Sequence, residues 1–300
     1  MRAPCTVVLP TRDRPEMVAR AVASVRAALT ADDELIVVDS ASAVPVGVPG
    51  GRVIRVDRPG ANRARNAGWR AGAHEVVVFV DDDVTVDAGW ADGFMRAMAD
   101  HPEAAFVTGR IEVPPDQGPV DHPVAIKNEP EGAVLTAAMD GVLGHSASLA
   151  VRRQALVAVG GFDEVLGAGG ELPMSDETDL FDRLFAAGWT GWYEPTALAW
   201  HDQWRGRGER IRLSWRYGFG AGARLAKLLR TDRRRARRLA GEVFWRQGLR
   251  DLAADARRGY RTAALLDVAH VAGAAVGLIS GSRVPVVDGH FAPRGDRRRP

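Results

Sequence analysis

Short β-branched apolar runs alternate with helical periodicities through the first part of the chain, and each run stops on polar or acidic residues. Ala3 to Leu9 reads as a strand that ends at Pro10-Thr11-Arg12-Asp13-Arg14-Pro15. Pro15 suits a first helical turn and Asp13 its cap, and Val18, Val22, Val25 and Leu29 recur at helical spacing. A second strand, Glu34 to Asp39, ends in a carboxylate. A third, Arg52 to Val56, leads through Asp57-Arg-Pro-Gly60 into a helical pattern from Ala61 to Ala73. Val76 to Val80 is apolar throughout, the pattern of a strand covered on both faces. This order predicts an α/β fold: a doubly wound, mostly parallel sheet flanked by helices, with a nucleotide-sized cleft at the C-terminal strand edge.

The buried run ends in Asp81, Asp82 and Asp83. Three adjacent carboxylates repel one another unless a positive charge lies among them, and a hard divalent cation held by carboxylate oxygens is the simplest candidate. A bare acidic run is more often a solvated turn, but the position directly behind a buried strand favours the cation. The dinucleotide glycine fingerprint and the phosphate-loop motif are both missing, so phosphate charge must be met by a bridging cation or by arginines such as Arg63 and Arg65.

Composition sharpens the picture in two places. The single cysteine, Cys5, falls in the first strand, which excludes an intramolecular disulfide and points to a reducing, cytoplasmic setting; no secretory leader pattern precedes it. The net charge of +2 hides a division: residues 1–200 carry 17 Arg or Lys against 29 Asp or Glu, and residues 201–300 carry 23 against 9. A basic amphipathic stretch from Arg210 to Arg230, the run Arg233-Arg-Arg-Ala-Arg-Arg238 and a further helical stretch to about Arg261 suit either packing on the body or peripheral contact with an anionic membrane. Ala263 to Ser280 is apolar but contains Asp267 and His270, which makes it a poor membrane span. No nucleic-acid motif accompanies the basic residues, and nucleic acid is not expected as a partner.

Val7-Val-Leu-Pro-Thr11, Leu35-Ile-Val-Val-Asp39, Ala64-Arg-Asn-Ala-Gly68 and Val78-Phe-Val-Asp-Asp-Asp83, followed by Gly160-Gly-Phe-Asp-Glu164, Asp176-Glu-Thr-Asp-Leu180 and Tyr193 to His201, together resemble glycosyltransferase family 2 over roughly residues 4–201. The resemblance implies a GT-A-like fold and transfer of a sugar from a nucleotide-diphosphate donor (UDP, GDP or dTDP) to an acceptor hydroxyl, with inversion. It implies that Pro10, Thr11, Arg12 and Asp39 surround the nucleoside, with Arg65, Asp81 and Asp82 completing the nucleotide contacts. Asp81, Asp83 and His201 would hold Mn2+ or Mg2+. Where many members have Glu-Asp, this chain has Asp176-Glu177, so either Glu177 or Asp176 is the general base that deprotonates the acceptor.

The expected organisation is a catalytic domain over 1–202, with a nucleotide-sugar part (1–112) and an acceptor part (113–202), then a helical basic extension (203–285) and a disordered tail (286–300). Gly167-Ala-Gly-Gly170 suits a mobile lid or an ordinary loop. Trp189, Trp192 and Trp204 suit sugar stacking or core packing. Two other classes fit parts of the pattern: a haloacid-dehalogenase-like phosphatase using Asp81 and Asp83, which lacks its lysine ahead of Asp176, and a non-catalytic sugar-nucleotide binder.

Overall fold

The computed structural model describes residues 2–49, 51–118, 120 and 123–293. The chain divides into two compact units, one of Met1–Phe162 with Leu180–Gln203 and one of Asp163–Asp179 with Trp204–Pro300.

In the first unit the elements run β1 (Thr6–Thr11), α1 (Pro15–Ala28), β2 (Glu34–Ser40), β3 (Arg52–Val56), α2 (Ala61–Ala71), β4 (Val76–Val80), β5 (Val84–Val86), α3 (Trp90–Asp100), β6 (Ala104–Glu112), β7 (Ala133–Leu135), β8 (Ser148–Arg152), α4 (Arg153–Ala158), α5 (Asp176–Ala186) and β9 (Thr190–His201). Among the described residues these strands form one sheet in the order β3-β2-β1-β4-β8-β6-β9-β5, with β7 on β9. The first four strands are parallel. β8 then enters antiparallel between β4 and β6, β9 runs parallel to β6, and β5 returns antiparallel on β9. The mostly parallel sheet flanked by helices is as expected, with the antiparallel strands β8, β5 and β7 added to it. Two apolar layers sandwich it, one on the α1 and α3 side, the other on the α2 and α5 side. β1 and β4 are buried along their whole length, which explains the apolar runs Val7–Leu9 and Val76–Val80 within them.

α1 starts at Pro15 as expected, but Asp13 does not cap it. Asp13 instead adopts the left-handed region (φ 54°) and its Oδ1 accepts from the Ala43 amide, tying the β1 edge to the segment after β2. Gly68 lies on α2 where a methyl would collide with Val8, so the helix can sit this close to β1 only without a side chain there.

The second unit contains α6 (Arg207–Thr231), α7 (Arg233–Ala240), a π-helical stretch (Gly241–Asp251), α8 (Leu252–Arg258), α9 (Arg261–Ser282) and a hairpin of β10 (Val286–Val287) with β11 (His290–Phe291). Two small cores hold it, one around Val165, Leu166, Leu172, Phe219 and Phe291, the other around Leu225, Leu228, Leu239 and Val243. The disordered tail expected from residue 286 is corrected in its first part: Phe291 is buried and anchors the hairpin, while residues 294–300 lie outside the described residues. The segment Asp163–Asp179, expected with the catalytic domain, belongs to the second unit because Lys227 of α6 binds the acids at both of its ends.

Candidate active site

The three carboxylates emerge where β4 stops, and each has a different partner. Asp82 is buried; its Oδ2 accepts from Thr11 Oγ1 at 2.7 Å and its Oδ1 from Arg14 at 2.8 Å. Burial pushes the Asp82 carboxyl above its ordinary range; the Arg14 charge opposes this and the neighbouring Asp83 adds to it. Arg14 also reaches Asp83 Oδ2 at 3.4 Å. Arg65, buried on α2, donates to Asp81 Oδ1 at 2.8 Å and to Asn62 Oδ1 at 3.0 Å, and its guanidinium lies 5.5 Å from the centre of the Phe162 ring. Two arginines, Arg14 and Arg65, thus face the three carboxylates.

His201 arrives by strand register. β5 pairs antiparallel with β9 so that Val84 lies opposite His201, and the Asp202 amide donates to the Asp83 carbonyl at 3.0 Å. This sets His201 Nε2 3.6 Å from Asp83 Oδ1, with both side chains buried. Two adjacent ligands of a cation bound at about 2.1 Å stand roughly 3 to 4 Å apart, so the spacing of this pair fits residues that would hold a divalent ion of the Mg2+ or Mn2+ type. Asp81, the third expected ligand, is engaged with Arg65, and among the described residues no group of three His, Cys, Asp or Glu stands ready to hold a metal.

Gln203 fixes the histidine ring. Its Oε1 accepts from the Val124 amide at 2.9 Å and its Nε2 donates to the Val124 carbonyl at 3.0 Å, which orients the amide. The same Nε2 stands 2.9 Å from His201 Nδ1. Nδ1 is then the acceptor, and a neutral ring carries its proton on Nε2, directed at Asp83. Ligation through Nε2 needs that proton moved.

Of the nucleoside residues, Pro10 and Thr11 are buried at the end of β1, whereas Arg12 is exposed and pairs with Asp13 at 3.3 Å. Asp39 is engaged from three sides, by Arg55, by the Ser42 amide at 2.8 Å and by the Val46 amide at 3.2 Å. Burial alone would push its carboxyl up, but the bonds from Ser42, Val46 and Arg55 outweigh it and hold the group below its ordinary range. Asp39 therefore shapes the segment after β2. That segment and α1 enclose a mainly apolar cleft of about 560 Å³, with Asp13 and Arg14 among its lining and none of the three carboxylates in it.

Asp176 and Glu177 form the first turn of α5, Asp176 buried and Glu177 half-buried. Met174 and Ser175 just before them both adopt the left-handed region (φ 66° and 62°), a conformation that non-glycine residues hold only where the surroundings enforce it. One turn on, Lys227 Nζ lies 2.6 Å from Asp179 Oδ1 and 2.6 Å from Asp163 Oδ2, all three side chains being buried. The glycine-rich segment is no free lid. Leu166 and Leu172, both buried, bridge across it, and a methyl on Gly170 would meet the Val165 carbonyl oxygen at 2.6 Å.

Trp192 stacks on His101 at 3.7 Å and Trp189 packs against the α2-side core, so both serve packing; Trp204 is exposed beneath Arg205. Three residues escaped the sequence reading: Arg14, Gln203 and Lys227. Arg14 lay within the quoted loop, and Lys227 is one of only two lysines in an arginine-rich chain, the one signal that set it apart.

A mixed, mostly parallel sheet flanked by helices, with an acid cluster where β4 ends, is an architecture of the GT-A kind. The model of glycosyl transferase family 2 matches residues 6–156, just over half of the chain, and the chain belongs to this family. Two curated pre-mycofactocin glycosyltransferases, from two strains of Mycobacterium tuberculosis, are each 32% identical over 213 residues, covering 66% of this chain and 42% of their own length. The chain thus spans about two fifths of these relatives. Among solved structures, the mannosyltransferase PcManGT from Pyrobaculum calidifontis, in complex with GDP-Man and Mn2+, aligns with a TM-score of 0.64 at 18% identity, covering 92% of this chain and 86% of that one. At that identity the likeness concerns the fold.

Proposed function

We propose that the chain transfers a sugar from a nucleoside-diphosphate donor to an acceptor hydroxyl with inversion at the anomeric carbon, at the cytoplasmic side of the cell. The observation that carries the reading is the Asp81-Asp82-Asp83 cluster at the end of β4, faced by Arg14, Arg65 and His201. A divalent cation there, Mn2+ or Mg2+, would neutralise the diphosphate; Asp83 would hold it, with His201 and Asp81 joining once their present partners yield. Arg14 and Arg65 would balance the charge that develops on the leaving diphosphate.

Glu177 or Asp176 accepts the acceptor's proton as its oxygen forms the new bond to the anomeric carbon. The bond from that carbon to the β-phosphate oxygen breaks, and its electron pair leaves with the nucleoside diphosphate. The Mn2+ and GDP-Man of the PcManGT complex support a metal-bridged donor, and the name of the curated relatives makes pre-mycofactocin the first acceptor to try, before lipid-linked glycans and polysaccharide.

Calorimetry with UDP, GDP and dTDP, each with Mn2+ and with EDTA, tests the donor site. One nucleotide should bind only with metal, and Asp83→Ala should abolish that binding. Binding of none of them, or phosphate release without any sugar acceptor, would refute the proposal and turn attention to phosphatase chemistry at Asp81.

A further inference from the structure

α9 is built inside out for a helix in water. Its inner face is small: methyl groups on Gly273 and Gly277 would collide with the carbonyl oxygens of Trp215 and Phe219 of α6, and methyls on Gly218 and Gly222 with those of His270 and Ala274. The contacts 215 with 273 and 219 with 277 advance together, so α6 and α9 lie side by side in the same direction, backbone to backbone. Because the small residues are used inward, the large ones face out. Leu265, Val268, Val276 and Ile279 are 45–54% exposed, and with the exposed Ala272 and Ala275 they follow helical spacing along one stripe. The 22-residue helix is long and apolar enough to cross a bilayer, and little of it is buried within the protein.

The surroundings of the stripe are cationic. Residues 233–261 carry ten arginines against three acids. Arg257, Arg258 and Arg261 are exposed at the start of α9, and Arg283 at its end. Two aromatics with a polar edge, Trp245 and Tyr260, are exposed in the same unit, Tyr260 immediately before α9. Apolar stripe, flanking arginines and amphipathic aromatics together match the chemistry of a bilayer interface.

We propose that the outer face of α9 lies in the plane of an anionic lipid bilayer, its apolar stripe in the acyl boundary and its arginines among the headgroups. A second copy of the chain is a poorer occupant, because a symmetric contact would set one arginine-rich 233–261 segment against another. Crossing the bilayer is also poorer: α6 covers the inner face of α9 and brings Arg212, Arg216 and Arg224 with it, and α9 itself carries Asp267 and His270. The amphipathic stretch 210–230, one of the membrane candidates read from the sequence, is thereby assigned to support α9 rather than to touch lipid.

The test is flotation of the full chain on vesicles of phosphatidylcholine alone or mixed with phosphatidylglycerol, with light scattering of the lipid-free protein. The chain should float with the anionic vesicles at least tenfold better than with neutral ones. Val268→Glu with Ile279→Glu should abolish flotation while leaving helical content and metal-dependent nucleotide binding unchanged, and Arg257→Glu with Arg258→Glu should weaken it and remove the preference for anionic lipid. No flotation, or flotation indifferent to both variant pairs, overturns the proposal. A dimer that the Val268 and Ile279 pair dissociates, without flotation, would identify a second copy as the occupant. Membrane-bound chain that resists alkaline carbonate extraction would show a span instead. None of these readouts needs a sugar donor, so this proposal and the transferase reading fail independently.

Discussion

Asn66 mimics a strand partner for Phe162: its Oδ1 accepts from the Phe162 amide at 3.0 Å and its Nδ2 donates to the Phe162 carbonyl at 2.9 Å. The same Oδ1 accepts from Trp69 Nε1 at 3.0 Å, and the Phe162 ring meets Phe79 edge-on at 5.0 Å. One side chain thus ties together three of the stretches that carry the family resemblance, those around Asn66, Phe79 and Gly160–Glu164. Asn66→Ala leaves buried Phe162 and Trp69 groups without these bonds, which at about 1–3 kcal/mol each predicts a loss of roughly 3 kcal/mol after partial relaxation. Asn66→Asp, nearly the same shape, should cost a comparable amount because it turns an oxygen toward the Phe162 carbonyl. Urea unfolding checks both, and an Asp variant as stable as the wild type would show that the paired bonds contribute nothing.

Lys227 sits between Asp163 and Asp179 with almost no solvent access, and Asp163 Oδ2 also accepts from the Phe291 amide at 2.7 Å. Lys227→Met removes a cation that two buried carboxylates share, so it should destabilise by about 3–5 kcal/mol. Adding Asp163→Asn and Asp179→Asn to the same chain should recover most of that loss, since a neutral buried site costs far less than an unpaired charged one. Because Asp179 lies two residues after Glu177 in the opening of α5, Lys227→Met should also lower kcat more than it weakens nucleotide binding, given the base role proposed for Glu177 or Asp176. Steady-state kinetics beside calorimetry separates the two effects. Equal stability of the Met variant and the triple variant would remove the charge argument.

These two clusters show what the sequence could and could not reveal. Strands β1 to β4 and helices α1 and α2 were legible because parallel buried strands are continuous apolar runs and the connections are short. The antiparallel half was not: β8 enters the sheet beside β4 from 68 residues further on, counting Val80 to Ser148, and nothing local in Ser148–Arg152 announces that neighbour. Asp81, Asp82 and Asp83 were legible by their position after β4. Their partner Arg14 was not, since the loop holds Arg12 and Arg14 and only the folded backbone shows that Arg14 turns inward while Arg12 faces solvent. Asn62, Arg65, Asn66 and Gly68 share one helix, yet Arg65 serves the acid cluster whereas Asn66 and Gly68 serve packing. Spacing alone does not divide those duties.

Acid should act on the N-terminal edge of the sheet. Burial pushes the Asp33 carboxyl up, but the Arg2 bonds and those from the Cys5 amide, the Thr30 amide and the Thr30 hydroxyl outweigh it and hold Asp33 well below the ordinary value of 3.8. A depressed native pKa means that the unfolded chain binds the proton first. The Asp33 contribution is therefore complete well above pH 4 and is lost as pH falls below that value toward the native pKa. Asp33→Asn should cost roughly 1.5–3 kcal/mol near neutrality, the worth of charged hydrogen bonds, and progressively less in acid. Urea midpoints of wild type and variant measured from pH 7 to pH 3 should converge. A constant gap across that range would mean that Asp33 is not the titrating group.

The last prediction concerns which side chains bind the cation most firmly. Asp83 offers carboxylate oxygens to the cluster directly, whereas His201 must shed the Nε2 proton that the Gln203 amide imposes on it. If both ligate, the two are unequal: part of the gain from the imidazole is spent on reversing the tautomer against Gln203. Asp83→Ala should then abolish metal-dependent nucleotide binding, and His201→Ala should weaken it by roughly 10-fold, the size of a moderate change in a metal's surroundings. Gln203→Leu frees Nδ1 to carry the proton and should leave Mn2+ affinity equal to or above that of the wild type. Titration of Mn2+ into the nucleotide complexes of the three variants gives the ranking directly. A His201→Ala chain as inert as Asp83→Ala, together with weakened metal binding in Gln203→Leu, would show that Gln203 holds the ring in its ligating form and that the proton assignment made from the Val124 contacts is inverted.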